Sequence, residues 1–172
     1  ANYNREVKRV DLFIMAAAEV VKHHDNVKFL IIGCGGLENE LKELIGSLGL
    51  EGRVILCGKR DPATPYIKAF DIGVLTSDSE GFSNVLLEYM AAGLPVVATD
   101  VGGNHEIVQN STLGMLIPKG DYDALIFTIY TLLADQTSCK EMGMNAKIHI
   151  REQYSWDIKA KEIERFYQQL IK

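Results

Sequence analysis

Two glutamates, eight positions apart, are the residues in this sequence with the most distinctive chemical potential. Glu80 lies in a polar loop beside Gly81, and Glu88 is the only charged residue between Ser83 and Ala92. Apolar side chains surround Glu88 on most sides, a pattern typical of a buried helix. A buried carboxylate is strongly unfavourable unless partners satisfy it. We therefore interpret Glu88 as a ligand-binding residue, or alternatively as half of a buried ion pair with a lysine or arginine from elsewhere.

The order of strand, loop and helix around these glutamates predicts an anion site. Ser83 has the side chain of a helix N-cap, and the first amides of a helix lack internal partners and attract anions. Gly81 allows a ligand to approach the backbone closely. Glu88 projects back toward the helix N-terminus and so toward Glu80. Free amides beside two carboxylates suit a phosphate joined to a polyol, as in a nucleotide sugar. Taken alone, Glu80 could equally be a solvated loop residue.

Strands and helices alternate along the chain, which predicts an α/β domain built on a parallel sheet with helices on both faces. Short apolar runs indicate buried strands at 27–33, 53–58, 71–77, 95–99 and 114–118. Periodicity and capping residues predict helices at 9–21, 37–49, 64–70 with Thr64 as its cap, 83–92, 103–108, 121–134, 138–152 and 155–171. Ligands bind at the carboxyl ends of such strands, so the candidate loops follow Tyr3, Gly33, Gly58, Ser77 and Thr99.

The last predicted helix carries an apolar stripe with spacings of three and four. Its members are Trp156, Ala160, Ile163, Tyr167 and Leu170, and Ser155 is the expected N-cap. We expect most of this stripe to pack on its own domain.

Composition limits the classes of function. The 172 residues suit one domain, and the formal net charge of -5 argues against the broad basic face that nucleic acids need. Cys34, Cys57 and Cys139 lack metal-type spacing, so we expect free thiols in a reducing compartment. No apolar run in the sequence reaches the length of a membrane span. We expect a cytoplasmic protein that holds neither a metal nor a cofactor.

The long segment "SDSEGFSNVLLEYMAAGLPVVATDVGGNHEIV" resembles the Glu-x7-Glu signature of retaining glycosyltransferases of family 4. The segments "IIGCGG", "VILCGKR" and "GMLIPKGD" extend the similarity over nearly the whole chain, which looks like the C-terminal, donor-binding half of a GT-B enzyme. The resemblance implies a Rossmann-like sheet and a single nucleotide-sugar-binding domain over 1–172. It also implies an N-terminal acceptor domain that this sequence lacks.

The resemblance also implies a role for individual residues. Glu88 matches the glutamate that binds the ribose hydroxyls, and Glu80 the one that contacts the donor sugar. Lys8 and Arg5 match the catalytic cations that neutralise the leaving diphosphate. The remaining donor-binding positions are Gly81, Phe82, Ser83, Asn84 and Val85 in the signature, and Gly33, Gly35, Lys59 and Arg60 in loops that border the nucleotide.

Two positions depart from the pattern of the family. Arg9 stands where a glycine often follows the lysine, and His105 stands where a proline is common. We interpret His105 as a surface residue in a turn.

The activity implied is metal-independent transfer of a sugar from a nucleotide diphosphate donor, most often UDP, to an acceptor hydroxyl with retention of configuration. We expect the 172 residues alone to bind nucleotide weakly and to lack turnover. Polysaccharide or lipid-linked glycan assembly is the implied setting, with the inner membrane face as a further partner of the full enzyme. The alternatives are a nucleotide-sugar epimerase or phosphorylase, an NADP-binding domain that uses Lys59 and Arg60, and a non-catalytic interaction module. A dinucleotide fingerprint would need glycine where Glu38 stands, which argues against NADP.

Overall fold

The computed structural model describes Tyr3 and residues 6–170, so Arg5 lies outside the described residues. After a short 3-10 helix, Glu6–Lys8, the elements in chain order are α1 (Val10–Val20), β1 (Phe29–Ile32), α2 (Glu38–Ser47), β2 (Val54–Gly58), α3 (Thr64–Ile67), β3 (Gly73–Leu75), α4 (Asn84–Ala92), β4 (Val96–Thr99), α5 (Asn104–Ile107), β5 (Met115–Ile117), α6 (Tyr122–Ala134), α7 (Gln136–Gln153) and α8 (Trp156–Leu170). The predicted alternation of strands and helices is confirmed.

All the paired strands run parallel, as predicted, but they are divided between two sheets. One sheet pairs β1 with β2, and the other has the order β3-β4-β5. Successive residues of β4 show that helices cover both faces. Val97 packs in a cluster with residues of α1 and α6, whereas Val96 and Ala98 pack with residues of α4, α5 and α7. The continuous apolar run that predicted β4 is therefore explained by burial on both sides, whereas Leu30 of β1 and Ile55 of β2 remain exposed.

Capping side chains fix several helix starts. The Ser83 hydroxyl accepts a hydrogen bond from the Leu86 amide at 3.4 Å, which confirms Ser83 as the N-cap of α4. Asp121 caps α6 in the same way through the Ala124 amide at 2.9 Å. The prediction for α3 was wrong, because Ala63 occupies the N-cap position and Thr64 is already helical. Proline tolerates several positions in a first turn, so Pro65 alone does not fix the boundary.

The prediction that the stripe on α8 packs on its own domain is wrong. No residue of α8 is buried, and Trp156 is 90 % exposed. Ile163, Tyr167 and Leu170 are also exposed, at 57 %, 60 % and 66 %. Helical periodicity identifies an apolar face, but it carries no information about which surface covers that face.

Close packing of α7 on the end of α4 depends on Gly143. A Cβ atom at this position would overlap the carbonyl oxygen of Gly93, the C-cap residue of α4. We expect Gly143→Ala to lower the free energy of unfolding by about 1–3 kcal/mol, since the two helices must separate to admit the methyl group. Equilibrium unfolding in urea measures this loss.

Gly46→Ala on α2 is the matched control. A Cβ atom there meets only the Glu51 carboxylate, at 3.6 Å. Alanine in a helix interior is favoured over glycine by about 0.5–1 kcal/mol, so this variant should gain stability. Equal losses in the two variants would contradict the packing role of Gly143.

Candidate functional site

An ion pair joins the start of the chain to the loop after β3. The ammonium nitrogen of Lys8 lies 2.7 Å from Oε1 of Glu80, although the two residues are 72 positions apart. Their side chains are only 29 % and 11 % exposed, so water screens the pair incompletely. The structure therefore brings together two residues that the sequence predicted for one site.

Backbone contacts hold the Lys8 segment against the chain that follows β3. The Thr76 hydroxyl lies 3.1 Å from the carbonyl oxygen of Lys8 and 2.9 Å from that of Arg9, so its single hydrogen is shared between these two acceptors. The Asp78 amide donates to the Val7 carbonyl at 2.7 Å. Lys8 is consequently positioned by its main chain as well as by its ion pair.

Arg9 adopts a conformation that favours glycine. Its φ of 45° lies in the left-handed region, which explains why a glycine suits this position. The guanidinium donates to the Asp11 carboxylate at 3.1 Å and lies 3.5 Å from that of Asp78. The hydrogen bond with Asp11 raises the pKa of Arg9, so these contacts favour the charged side chain and offset part of the backbone strain.

The Glu80 loop rests on a turn made by Gly102 and Gly103. The Gly103 amide donates to the Gly81 carbonyl at 2.7 Å, and Gly102 has a φ of 53°. A Cβ atom on Gly102 would overlap the carbonyl oxygen of Glu80. The sequence contained these glycines as part of the signature, but only the three-dimensional contact shows that they position Glu80.

A cleft of about 670 Å³ opens beside the ion pair. Lys8 and Glu80 line its polar end together with the first turn of α4, and the lining residues predicted there are Phe82, Ser83, Asn84 and Val85. The hydroxyl of Ser77, a buried side chain in the same lining, has no hydrogen-bond partner among the described residues. A cation, a carboxylate, a free hydroxyl and helix N-terminal amides thus surround one space, which suits a phosphate-bearing polyol.

The prediction that Glu88 is buried is wrong. Glu88 is exposed, does not line the cleft, and has no ion pair with any described residue. The buried side of α4 is formed by Leu86 and Met90, and at 100° per residue Glu88 faces away from both. The sequence misled because apolar residues beside Glu88 are only half-buried. Tyr89 keeps part of its surface in contact with water, but burial of the rest still raises the pKa of its phenol to about 12, and the charge of Glu88 adds to that shift.

The other predicted loops lie at the carboxyl edge of the first sheet. Gly33 is buried after β1 and its carbonyl accepts a hydrogen bond from the Tyr3 hydroxyl at 2.9 Å, with Gly35 two residues beyond. Lys59 and Arg60 follow β2 and are exposed, and the Arg60 guanidinium lies 5.5 Å from the centre of the Tyr66 ring. These four residues do not line the cleft. His105 is exposed on α5, 3.8 Å from the Asp100 carboxylate.

Two kinds of feature are absent from the described residues. No cluster of three or more His, Cys, Asp or Glu side chains in Tyr3 and 6–170 is placed to hold a metal ion. No helix in the same residues is long and apolar enough to cross a membrane.

The chain belongs to the group 1 glycosyl transferases, since the profile of that family matches residues 1–135. Among curated relatives, it is 32 % identical over 168 residues to the N-acetyl-alpha-D-glucosaminyl L-malate synthase of Bacillus anthracis. That alignment covers 98 % of this chain and 44 % of the relative. The chain thus spans less than half the length of this relative. The resemblance inferred from the signature is confirmed at the level of the family.

Solved structures show the same fold. HepE of Anabaena in complex with UDP superposes with a TM-score of 0.89 at 27 % identity, over 96 % of this chain and 46 % of HepE. TarM of S. aureus, in a complex that contains UDP, gives a TM-score of 0.85 at 29 % identity, over 92 % of this chain and 32 % of TarM. The predicted Rossmann-like half of a GT-B fold is confirmed by these neighbours.

The glycine turn beneath Glu80 can be tested by substitution. We expect Gly102→Ala to lower the free energy of unfolding by about 1–3 kcal/mol, because the methyl group meets the Glu80 carbonyl and the left-handed backbone disfavours alanine. Gly81→Ala, on the other side of the same contact, adds a Cβ with nothing within 4 Å and should change stability by about 0.5 kcal/mol or less. Thermal and urea unfolding measure the stability of both variants. An equal loss of stability in the two would contradict the close contact between Gly102 and the Glu80 carbonyl.

Proposed function

We propose that this chain is the donor-binding part of a retaining glycosyltransferase that uses a nucleoside diphosphate sugar, with UDP as the nucleotide. The observation that carries the proposal is the Lys8–Glu80 pair beside the N-terminus of α4. The neighbours named above support it, since HepE has been crystallised with UDP and with UDP-glucose. In this proposal the 172 residues bind nucleotide weakly by themselves, and turnover needs the full-length protein.

The ion pair gives the site two states. Without ligand, Lys8 and Glu80 neutralise each other at 2.7 Å. A diphosphate competes for the ammonium group, because it carries more negative charge than one carboxylate. Glu80 is then released to accept hydrogen bonds from the hydroxyls of the donor sugar. The first amides of α4 add a fixed positive potential at the phosphates.

The same groups support the chemical step. The bond between the anomeric carbon and the leaving phosphate oxygen breaks, and the acceptor hydroxyl oxygen forms a bond to that carbon on the same face. The proton of the hydroxyl passes to the leaving phosphate. Lys8 stabilises the charge that develops on the diphosphate, a role that a metal ion fills in other enzymes. In the proposal Arg5 shares this role, from outside the described residues.

Exposure of Glu88 fits a role in ribose binding. Its carboxylate has no ion pair with the described residues, so a ribose would not have to displace a basic side chain. An exposed carboxylate also loses less hydration on binding than the buried one that the sequence predicted. We propose that the nucleotide extends from the polar end of the cleft along the outer side of α4 to Glu88.

The full-length enzyme would add the acceptor pocket. In the proposal an N-terminal domain supplies it, and the exposed apolar side of α8 is a surface that this domain can cover. In the same proposal, the full-length enzyme takes part in polysaccharide or glycan assembly in the cytoplasm and binds to a membrane surface.

Calorimetric titration with UDP, GDP, ADP and NADPH tests the ligand class. We expect UDP to bind. Glu88→Ala should lower the affinity for UDP by about tenfold, because the variant loses charge-assisted hydrogen bonds to the ribose. Glu43→Ala, an exposed glutamate on α2, is the matched control and should leave affinity unchanged. Binding of NADPH in the absence of nucleoside diphosphate binding would overturn the proposal.

Variants of the ion pair test its two states. Lys8→Met should lower the affinity for UDP about tenfold or more and leave the affinity for uridine unchanged, because uridine has no phosphate. Glu80→Gln should leave UDP affinity unchanged or raise it, since the ammonium is freed from its competitor. Lys42→Met removes a similar ion pair on the surface of α2 and serves as control. If Lys8→Met lowered the affinities for UDP and uridine equally, the variant would act by disturbing the structure and not by removing a phosphate contact.

A further inference from the structure

Tyr154, the C-cap residue of α7, contacts the loop that carries Glu80. Its ring centre lies 5.7 Å from that of Phe82, with 43° between the two ring planes, a geometry in which aromatic rings attract each other. Phe82 lies two residues after Glu80 and lines the cleft. Tyr154 is outside the residues 1–135 that the family profile matches, so the profile does not account for this contact. A residue near the end of the chain thus reaches the candidate site.

The Tyr154 hydroxyl extends the contact to α5. It donates to the Glu106 carbonyl at 3.0 Å, and the Glu106 amide in turn donates to the Gly103 carbonyl at 3.1 Å. Burial raises the pKa of Tyr154, so its hydroxyl keeps the proton that it donates at neutral pH. The Gly103 amide donates to the Gly81 carbonyl. Tyr154 therefore touches both segments that this last hydrogen bond joins, the loop of Glu80 through its ring and the turn of Gly103 through its hydroxyl.

The ring of Phe82 also lies against the Gly103 turn. A Cβ atom on Gly103 would be 3.1 Å from Cδ2 of Phe82, which is closer than an ordinary van der Waals contact. Phe82 is nevertheless 44 % exposed. Because glycine has no side chain, it offers the ring little apolar surface, and Tyr154 supplies an aromatic surface on which Phe82 rests. Removing the Tyr154 ring should therefore loosen the Glu80 loop.

Tyr154 is itself held on a rigid element. Its amide donates to the Ile150 carbonyl at 2.9 Å, and Ile150 packs with Leu86 of α4 in one buried cluster. The His149 ring lies 5.8 Å from the Tyr154 ring, and the ammonium of Lys159 on α8 lies 5.3 Å from its centre. These contacts fix the position of the Tyr154 ring, so it can orient a neighbouring loop that has no regular secondary structure.

We propose that Tyr154 is a positioning residue for the donor sugar, because it holds the loop that presents Glu80 to the sugar hydroxyls. The inference rests on the proposed function, in which Glu80 binds the sugar. Tyr154 does not line the cleft, so it acts through the Phe82 ring and the Glu106 carbonyl and not by contact with the ligand. A carboxylate must be held within about 0.5 Å of its binding geometry, so the support of this loop bears directly on affinity.

The nucleotide part of the donor should depend less on Tyr154. The main chain of Lys8 is held by the Thr76 hydroxyl, and Glu88 lies on α4. Loss of Tyr154 should therefore reduce the affinity that the sugar adds to UDP and leave the affinity for UDP itself. This difference separates positioning from a general loss of structure, which would lower both affinities.

Hydrogen exchange at the Gly103 amide tests the positioning without any ligand. The rate is divided by that at the amide of Val97, a fully buried residue of β4, so that changes in global stability cancel. Tyr154→Leu loses the aromatic contact and the hydrogen bond, and we expect it to raise this exchange ratio at least about tenfold. Tyr154→Phe loses the hydrogen bond and keeps the ring, so it should raise the ratio about two- to fivefold.

Tyr130→Leu is the matched control. The Tyr130 hydroxyl also donates to a backbone carbonyl, that of Glu19 at 3.2 Å, and its ring centre lies 5.5 Å from that of His24. This variant loses the same kinds of contact between α6 and the end of α1, away from the candidate site. It should leave the exchange ratio unchanged.

Calorimetric titration with UDP and UDP-glucose tests the consequence for binding. We expect Tyr154→Leu to lower the affinity for UDP-glucose at least about fivefold more than the affinity for UDP. Tyr154→Phe should recover most of this loss, because its ring still packs on Phe82. Tyr130→Leu should show no such difference between the two ligands.

Three results would overturn the inference. The exchange ratio could be the same in Tyr154→Leu as in the unsubstituted chain, or the affinities of that variant for UDP and UDP-glucose could change equally. In both cases, binding of UDP by the unsubstituted chain would leave the proposed function standing. If the unsubstituted chain bound neither UDP nor UDP-glucose, the proposed function would fail, and the role of Tyr154 toward a sugar would fail with it.

Discussion

The ion pair between Lys8 and Glu80 depends on one constraint, which is that parallel strands place their following loops at one edge of the sheet. Lys8 belongs to a segment that the Thr76 hydroxyl holds at the end of β3, and Glu80 to the loop that leaves the same strand. The Gly102–Gly103 turn after β4 supports that loop from beneath. Three segments far apart in the chain thus converge on one charged pair.

Much of the fold could be predicted from the sequence because each strand is a short apolar run, and β4 is buried on both faces. The N-cap role of Ser83 was also readable, since a serine before an apolar helical segment has a local physical cause. The division into two sheets was not predictable in this way. Strand pairing depends on which strand edges meet in space, and the local sequence pattern of each strand does not specify this.

The wrong predictions for Glu88 and for the stripe of α8 also arose because the local sequence does not specify tertiary contacts. Apolar composition made α4 look buried all round, whereas its core face is the stripe of Leu86 and Met90, and Glu88 lies on the far side. The apolar stripe of α8 is real but uncovered in the described chain. Periodicity specifies which side chains share a face, and only tertiary contacts specify what that face meets. Arg9 is the converse case, since its left-handed backbone explains why a glycine suits this position, which the sequence alone could not show.

A crystal structure of the chain with UDP bound would test the central claim most directly, through the distance between the Lys8 ammonium and the Glu80 carboxylate. The account predicts that a diphosphate oxygen takes the place of the carboxylate, so that the present 2.7 Å contact is broken. UDP bound elsewhere, with that contact intact, would contradict the account.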